Sequence, residues 1–143
     1  EYFKNEEATQ GAFNEDGYFL TGDLGVEDEE GFFFITGRKK ELIIKGGENI
    51  SPREIDDTLY KHNAVLEACT FGIEDDNYGE EISACVYLKD DLVANEEELL
   101  DLCKADLGEY KTPRQIIFVD KPLPKGPSGK IQRLKIASQY SSA

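Results

Sequence analysis

The sequence predicts a small α+β fold in which a mixed sheet packs with helices, preceded by a β-hairpin. Three observations carry this reading. From residue 41 onward, strand-like and helical segments follow in the order strand, helix, strand, strand, helix, strand, loop, helix. Two of the helices carry start signals, Ser51-Pro52-Arg53-Glu54 and Asn95 with Glu98. Apolar residues make up 39% of the 143 positions, enough for one modest core under a surface rich in charge.

Taken in order, Glu1 to Asn14 shows no initiator methionine and no capped element, so it reads as the interior of a longer protein. Asn14-Glu15-Asp16-Gly17 is a turn signal. Tyr18-Phe19-Leu20 leads to Thr21-Gly22-Asp23, residues 27–31 form an acidic turn, and Phe32-Phe33-Phe34-Ile35-Thr36 is strand-like. Together these predict strands joined by a tight turn. The polar stretch Gly37-Arg38-Lys39-Lys40-Glu41 separates two apolar runs. Leu42-Ile43-Ile44 resumes a strand, and Gly46-Gly47 makes a flexible tip. Ser51 is then expected as a helix N-cap, Pro52 as the first helical residue and Glu54 as the return half of a capping box. Ile55, Thr58 and Leu59 supply that helix's buried face.

Residues 64–73 read as a strand. Ile82, Ala84, Val86 and Leu88 alternate with Ser83, Cys85 and Tyr87, which predicts a half-buried strand. Leu99, Leu100, Leu102, Cys103 and Leu107 mark a helix behind the Asn95 cap. Ile116-Ile117-Phe118-Val119 is a short strand, residues 123–129 form a Pro/Gly-rich loop, and a short helix runs from Ile131. No internal repeat is present.

Charge narrows the partners. The net charge is −14, but residues 1–38 carry ten acids against two bases, whereas residues 111–143 carry seven bases against one acid. The basic end reads either as a solvated face or as a surface that meets a polyanion. An acidic chain argues against nucleic acid, which demands a dominant basic patch, but leaves room for a small phosphate ligand. Cys69, Cys85 and Cys103 are odd in number and form no Cys-x-x-Cys pair. Such usage fits reduced thiols in a cytoplasmic protein, with Cys85 and Cys103 in core patterns. His62 is the single histidine and lies at an expected helix end. No metal-ligand spacing, signal peptide or apolar run of about 18 residues is present.

Lys125-Gly126-Pro127-Ser128-Gly129-Lys130 fails the phosphate-loop pattern, because Lys130 is followed by Ile131 rather than a hydroxyl residue. Its glycines and proline still present one lysine at a loop tip, with Arg133 one turn later. Read alone, Lys130 is either an ordinary solvated lysine or a point charge aimed at an anion. Thr21-Gly22-Asp23 places a carboxylate at a strand end, suited to a ribose diol or to stabilising its own turn. Arg38 reads as a phosphate or sugar contact, or as surface.

The ordered combination is more specific than its parts. Tyr18 to Asp23, Gly37 to Glu41, Lys45-Gly46-Gly47-Glu48-Asn49-Ile50-Ser51-Pro52-Arg53-Glu54-Ile55, Tyr78-Gly79-Glu80 and Pro124 to Arg133 together resemble the C-terminal part of the adenylate-forming superfamily. That superfamily joins acyl- and aryl-CoA synthetases, peptide-synthetase adenylation domains and firefly-type luciferases. The resemblance covers nearly the whole chain and is nearest to the acyl-CoA synthetases.

The resemblance implies that residues 1–38 end a large N-terminal domain binding ATP and the acyl substrate. Residues 39–40 would form a hinge, and residues 41–143 a mobile lid. It implies that Asp23 holds the ATP ribose hydroxyls, that Arg38 also contacts the nucleotide, and that Lys40 is the hinge residue. Lys130 would enter the site when a carboxylate attacks the α-phosphate of ATP, giving acyl-AMP and pyrophosphate. Gly46 and Gly47 would face the acyl-AMP when the lid turns for thioester formation, with Gly47 beside the pantetheine tunnel. Asn49 stands where some relatives carry an arginine for the nucleotide, a departure from the pattern.

The implied function is thus part of an ATP-dependent carboxylate–CoA ligase. Its cofactors would be ATP with Mg2+ and CoA, and its partners the protein's own N-terminal domain and a carboxylic acid. The fragment alone is expected to be inactive. The pattern Pro124-x4-Gly129-Lys130 also resembles sites of reversible lysine acetylation in some bacterial relatives, which implies a lysine acetyltransferase acting on Lys130. Two alternatives remain: the lid of an adenylation domain that loads a carrier protein, and a non-catalytic nucleotide- or CoA-binding module.

Overall fold

The computed structural model describes residues 2–140, and the chain divides into two units between Lys40 and Glu41. In the first unit, Asn5 caps a short helix, α1 (Glu6–Gly11), by accepting the Ala8 N–H at 3.0 Å. The sequence reading did not anticipate this helix. It buries no residue and so shows no apolar face to read. The expected hairpin follows as β1 (Asp23–Glu27) and β2 (Phe33–Arg38), paired antiparallel. Asp28 closes its turn by accepting the N–H groups of Glu30 at 3.0 Å and Phe32 at 2.9 Å. Phe33, Phe34 and Ile35 are exposed, because a two-stranded sheet has no second layer within this unit.

The second unit is built on the long antiparallel pair β5 (Val65–Asp75) and β6 (Gly79–Leu88). Ahead of it stand the short hairpin β3 (Ile43–Lys45) and β4 (Glu48–Ile50), and the helix α2 (Pro52–Leu59). After it come α3 (Glu96–Leu107), β7 (Gln115–Val119) and α4 (Arg133–Tyr140). One edge of β6 pairs with β5 along its length. Its other edge meets β3 at Gly79 and then β7, in parallel, from Ser83 to Tyr87. The result is a mixed sheet packed with helices, as the strand–helix order predicts.

The expectation of a half-buried β6 is corrected. Residues Ile82 to Val86 are all buried, since β6 is central and covered on both faces. Ile82, Ala84 and Val86 face Ile55 and Leu59 of α2 and Leu99 and Cys103 of α3. Cys85 faces the other way, with Cys69, Phe71, Leu123 and Ile136 of α4. Ser83 is buried too, its hydroxyl accepting from Gln115 at 3.2 Å. Each fully buried leucine or isoleucine contributes about 1.5–3 kcal/mol.

The two helix-start signals resolve differently. Asn95 and Glu98 form the full reciprocal box, with bonds of 2.9 and 3.0 Å. Ser51 occupies the N-cap of α2 and Pro52 follows it, but the Ser51 side chain makes no capping bond. Glu54 pairs with Lys111 at 2.7 Å instead of returning to the cap. Either bond of the carboxylate is charge-assisted, but the Lys111 ammonium brings a full opposite charge where the cap N–H brings only a dipole. The last helix starts at Arg133 rather than Ile131, because Ile131 bridges back to Lys125.

Candidate functional site

In the first unit, β1 and β2 put Asp23 directly opposite Arg38. The guanidinium Nε lies 3.0 Å from the Asp23 carboxylate. Both side chains keep some exposure, 27% for Asp23 and 56% for Arg38, so the pair still presents polar atoms to solvent. Asp23 donates its N–H to the Thr21 hydroxyl at 3.0 Å, and Lys39 donates its N–H to Gly22 at 2.9 Å. The two residues singled out separately for a nucleotide are therefore brought together. Lys40 is exposed within the 3-10 turn Lys39–Glu41 and is the last residue of this unit.

In the second unit, Gly46 and Gly47 form the turn between β3 and β4, with φ of +56° and +87°. This is less a flexible tip than a braced one. Lys45 is buried and reaches Glu81 at 2.6 Å and the Tyr110 carbonyl at 3.1 Å. Tyr110 donates its hydroxyl to the Lys45 carbonyl at 2.6 Å, and Gly46 donates its N–H to Tyr78 at 2.8 Å. A Cβ on Gly46 would meet the Tyr110 hydroxyl at 2.9 Å, whereas one on Gly47 would meet nothing within 4 Å. The open side of the turn is thus at Gly47. A cleft of about 520 Å³ lies alongside, with Lys45, Tyr78, Glu81, Tyr110 and Arg114 on its walls. Asn49 is exposed on β4, opposite Ile44.

Lys130 stands on a closed loop. Gln132 donates its N–H to Pro124 at 2.8 Å, Gly126 donates to Lys130 at 2.8 Å, and Gly129 donates to Gly126 at 2.9 Å. Gly129 takes φ of +78° to make the tip. Glu67, on β5, holds one arm: its carboxylate accepts the Leu123 N–H at 2.7 Å and pairs with Lys125. Lys130 itself is exposed, and among the described residues its ammonium has no ion-pair partner.

Arg133, noted in the sequence only as lying one turn after Lys130, is not displayed with it. Its side chain is only 14% exposed. It donates to Glu41 at 2.9 Å, Asp56 at 2.9 Å and the Thr70 carbonyl at 2.5 Å, and it lies 3.6 Å from the Cys69 sulfur. Burial opposes its charge, but Asp56 foremost raises its pKa further above the ordinary arginine value. Burial pushes the Asp56 carboxyl above the usual carboxylate range, against the pull of Arg133. Glu41, Asp56, Glu67 and Lys45 escaped the sequence reading. The one available signal was Asp56, a charge on the face of α2 that also holds Ile55 and Leu59.

Among the described residues, no group of three or more His, Cys, Asp or Glu side chains is placed to hold a metal ion. None of the helices among the described residues is long and apolar enough to cross a membrane.

Comparison with known proteins is consistent across sequence and structure. Residues 54–130 match the family model of the AMP-binding enzyme C-terminal domain. The chain is 50% identical over 135 residues to a sulfoacetate–CoA ligase of Cupriavidus necator, covering 94% of this chain and 26% of that protein. The solved structure of ATP-bound MatB from Rhodopseudomonas palustris matches with a TM-score of 0.88 at 34% identity, over 98% of this chain and 28% of that one. The o-succinylbenzoate CoA synthetase MenE of Bacillus subtilis, solved with its acyl-adenylate intermediate, matches with a TM-score of 0.85 at 40% identity. That match covers 94% of this chain and 27% of MenE. The chain spans about a quarter of the length of the curated relatives it matches.

Proposed function

The chain belongs to the family of AMP-binding enzyme C-terminal domains, and from that membership we propose that it is the mobile lid of an ATP-dependent carboxylate–CoA ligase. Residues 41–143 form the lid, residues 39–40 the hinge and residues 1–38 the last strands of the large domain. The exposed Phe33, Phe34 and Ile35 of the β1–β2 hairpin support the last point, as apolar strand faces that a further layer would cover.

The observation that carries the reading is Lys130: an ammonium with no counter-ion among the described residues, displayed on a loop pinned at its base. Adenylation joins a carboxylate to the α-phosphate of ATP and releases pyrophosphate. A cation between the two anions cancels their repulsion and stabilises the charge that grows on phosphorus. No proton need move, so an ammonium suits the task. Asp23 accepts from the ribose hydroxyls, and Arg38, already oriented by Asp23, contacts the nucleotide. Mg2+ accompanies the ATP phosphates. For thioester formation the lid turns about Lys40 and presents Gly47, whose open side leaves a thiol room to approach. CoA is the acceptor, in keeping with the CoA ligases among the relatives.

Three buried free thiols favour a cytoplasmic setting. Acetylation of the exposed Lys130 by a lysine acetyltransferase would remove the charge and silence adenylation.

The test uses the full-length protein that carries this chain. Lys130→Ala is expected to lower ATP–pyrophosphate exchange by roughly 100- to 1,000-fold, as loss of a transition-state charge partner does elsewhere. Thioester formation from supplied acyl-adenylate should persist. Equal loss of both half-reactions would remove Lys130 from this role. The isolated chain should show no exchange at all, and robust exchange by it would end the lid reading.

A further inference from the structure

Buried charge in the second unit gathers around the base of the Lys130 loop, and no step proposed above uses it. The loop has two arms. Glu67 holds the arm at Leu123 and Lys125, and Arg133 holds the arm that leaves Gln132. Arg133 joins three separate elements at once: Glu41 at the first residue of the unit, Asp56 of α2 and the Thr70 carbonyl of β5. Its planar fork can satisfy several acceptors in fixed directions, which a lysine cannot do. A buried ion pair is a weak device for stability, because desolvation offsets the Coulomb gain. It is a good device for holding geometry. Arg133 lies three residues from Lys130, and the backbone between them is closed by the Gln132–Pro124 and Gly126–Lys130 bonds. Little freedom separates the two side chains' backbones.

We propose that Arg133 is a positioning residue for Lys130, which it aims by locking the exit of the lysine loop to Glu41, Asp56 and β5. The inference rests on the assignment of Lys130 to adenylation. It adds that Lys130 needs a fixed mount as well as a charge. Because Glu41 directly follows Lys40, the mount also ties the lysine loop to the start of the lid, so that a turn at the hinge carries the loop with it. Misplacement of a catalytic group by about 1 Å can cost roughly 100-fold in rate.

The experiment measures both half-reactions in the full-length protein for Arg133→Lys, Glu41→Gln and Lys130→Ala. Arg133→Lys keeps the charge and removes the fork. It is expected to lower kcat for ATP–pyrophosphate exchange by about 100-fold, with KM for ATP and carboxylate unchanged and with thioester formation from supplied acyl-adenylate retained. Glu41→Gln keeps a hydrogen-bond acceptor and weakens one of the three ties, so about a tenfold loss in the same kcat is expected. Should Arg133→Lys fail to fold, Glu41→Gln decides alone. A purely structural role would lower both half-reactions together, in step with the thermal midpoint, and that result overturns the proposal. So does unchanged exchange in either folded variant. Lys130→Ala separates the two claims. If it spares exchange, the function assigned to Lys130 fails. If it abolishes exchange while Arg133→Lys harms both halves equally, only the positioning role falls.

Discussion

Gly46 shows how much one residue can be asked to do. Its φ of +56° lies in the left-handed region, and its missing Cβ leaves room for the Tyr110 hydroxyl. That hydroxyl bonds the Lys45 carbonyl, while the Lys45 ammonium bonds the Tyr110 carbonyl and Glu81. Gly46→Ala is therefore expected to lose about 1–2 kcal/mol from backbone conformation, and more from displacing Tyr110. Urea unfolding would show it: Gly46→Ala is expected to cost less in a Tyr110→Phe background, where the hydroxyl and its bond to Lys45 are already gone, than in the wild type. An equal cost in both backgrounds would mean that the tyrosine hydroxyl is not the obstacle. Sequence pattern placed Gly46, Gly47 and Lys130 at loop tips, because loop glycines and a tip lysine are local features, while their proposed roles come from the family resemblance. Arg133 and Glu67 were not legible as fixed points, since their partners lie 56 to 92 positions away in sequence.

At the level of elements, the start of α3 is the clearest case of local sequence deciding local structure. Asn95 and Glu98 satisfy each other's N–H groups, and Gly108, at φ of +82°, ends the helix. Asn95→Ala should lower the unfolding free energy by about 1 kcal/mol, measured by urea denaturation, with Asn95→Asp or Asn95→Ser restoring most of it. A loss confined to a few tenths would mean that tertiary packing of Leu99 and Cys103, not the cap, sets this boundary. The box at α2 failed because Lys111 recruits Glu54 from 57 positions away. The same kind of long-range fact hid the burial of β6. Alternation in Ile82 to Leu88 shows one apolar face, but Ser83 and Cys85 are small enough to be covered by α4 and β7 as well. β4 went unread because three residues are too few to show a period, and α1 because it has no apolar face.

For the whole molecule, the two buried layers predict how stability varies with pH. Burial raises the Cys69 thiol from 9.0 to about 12 and the Cys103 thiol from 9.0 to about 11. Both side chains are fully enclosed, one in each layer of the second unit. A folded-state pKa above the unfolded value means that the folded chain holds the proton longer. The contribution is fully present below about pH 9 and is lost as pH rises toward 11–12. Tyr60 and Tyr140, also raised by burial, act in the same direction. On the acid side the sign reverses. Hydrogen bonds from Asn77 and Tyr78 lower Asp75, and Lys61 with Thr58 lowers Asp106, so their contribution is present above pH 3.8 and lost as pH falls through the lowered values. Asp56, raised by burial, opposes them: its contribution is present below pH 3.8 and is lost as pH rises toward its folded value, so the plateau lies between that titration and those of the thiols. Urea unfolding at pH 8 and pH 10.5 is expected to differ by about 2 kcal/mol for each of Cys69 and Cys103. Cys103→Ala, although less stable at pH 8, should show a shallower alkaline decline. An unfolding free energy that stays flat to pH 10.5 would mean that the thiols ionise in the fold as readily as in water. Such a result could not be reconciled with side chains sealed between β6 and the helices on either face.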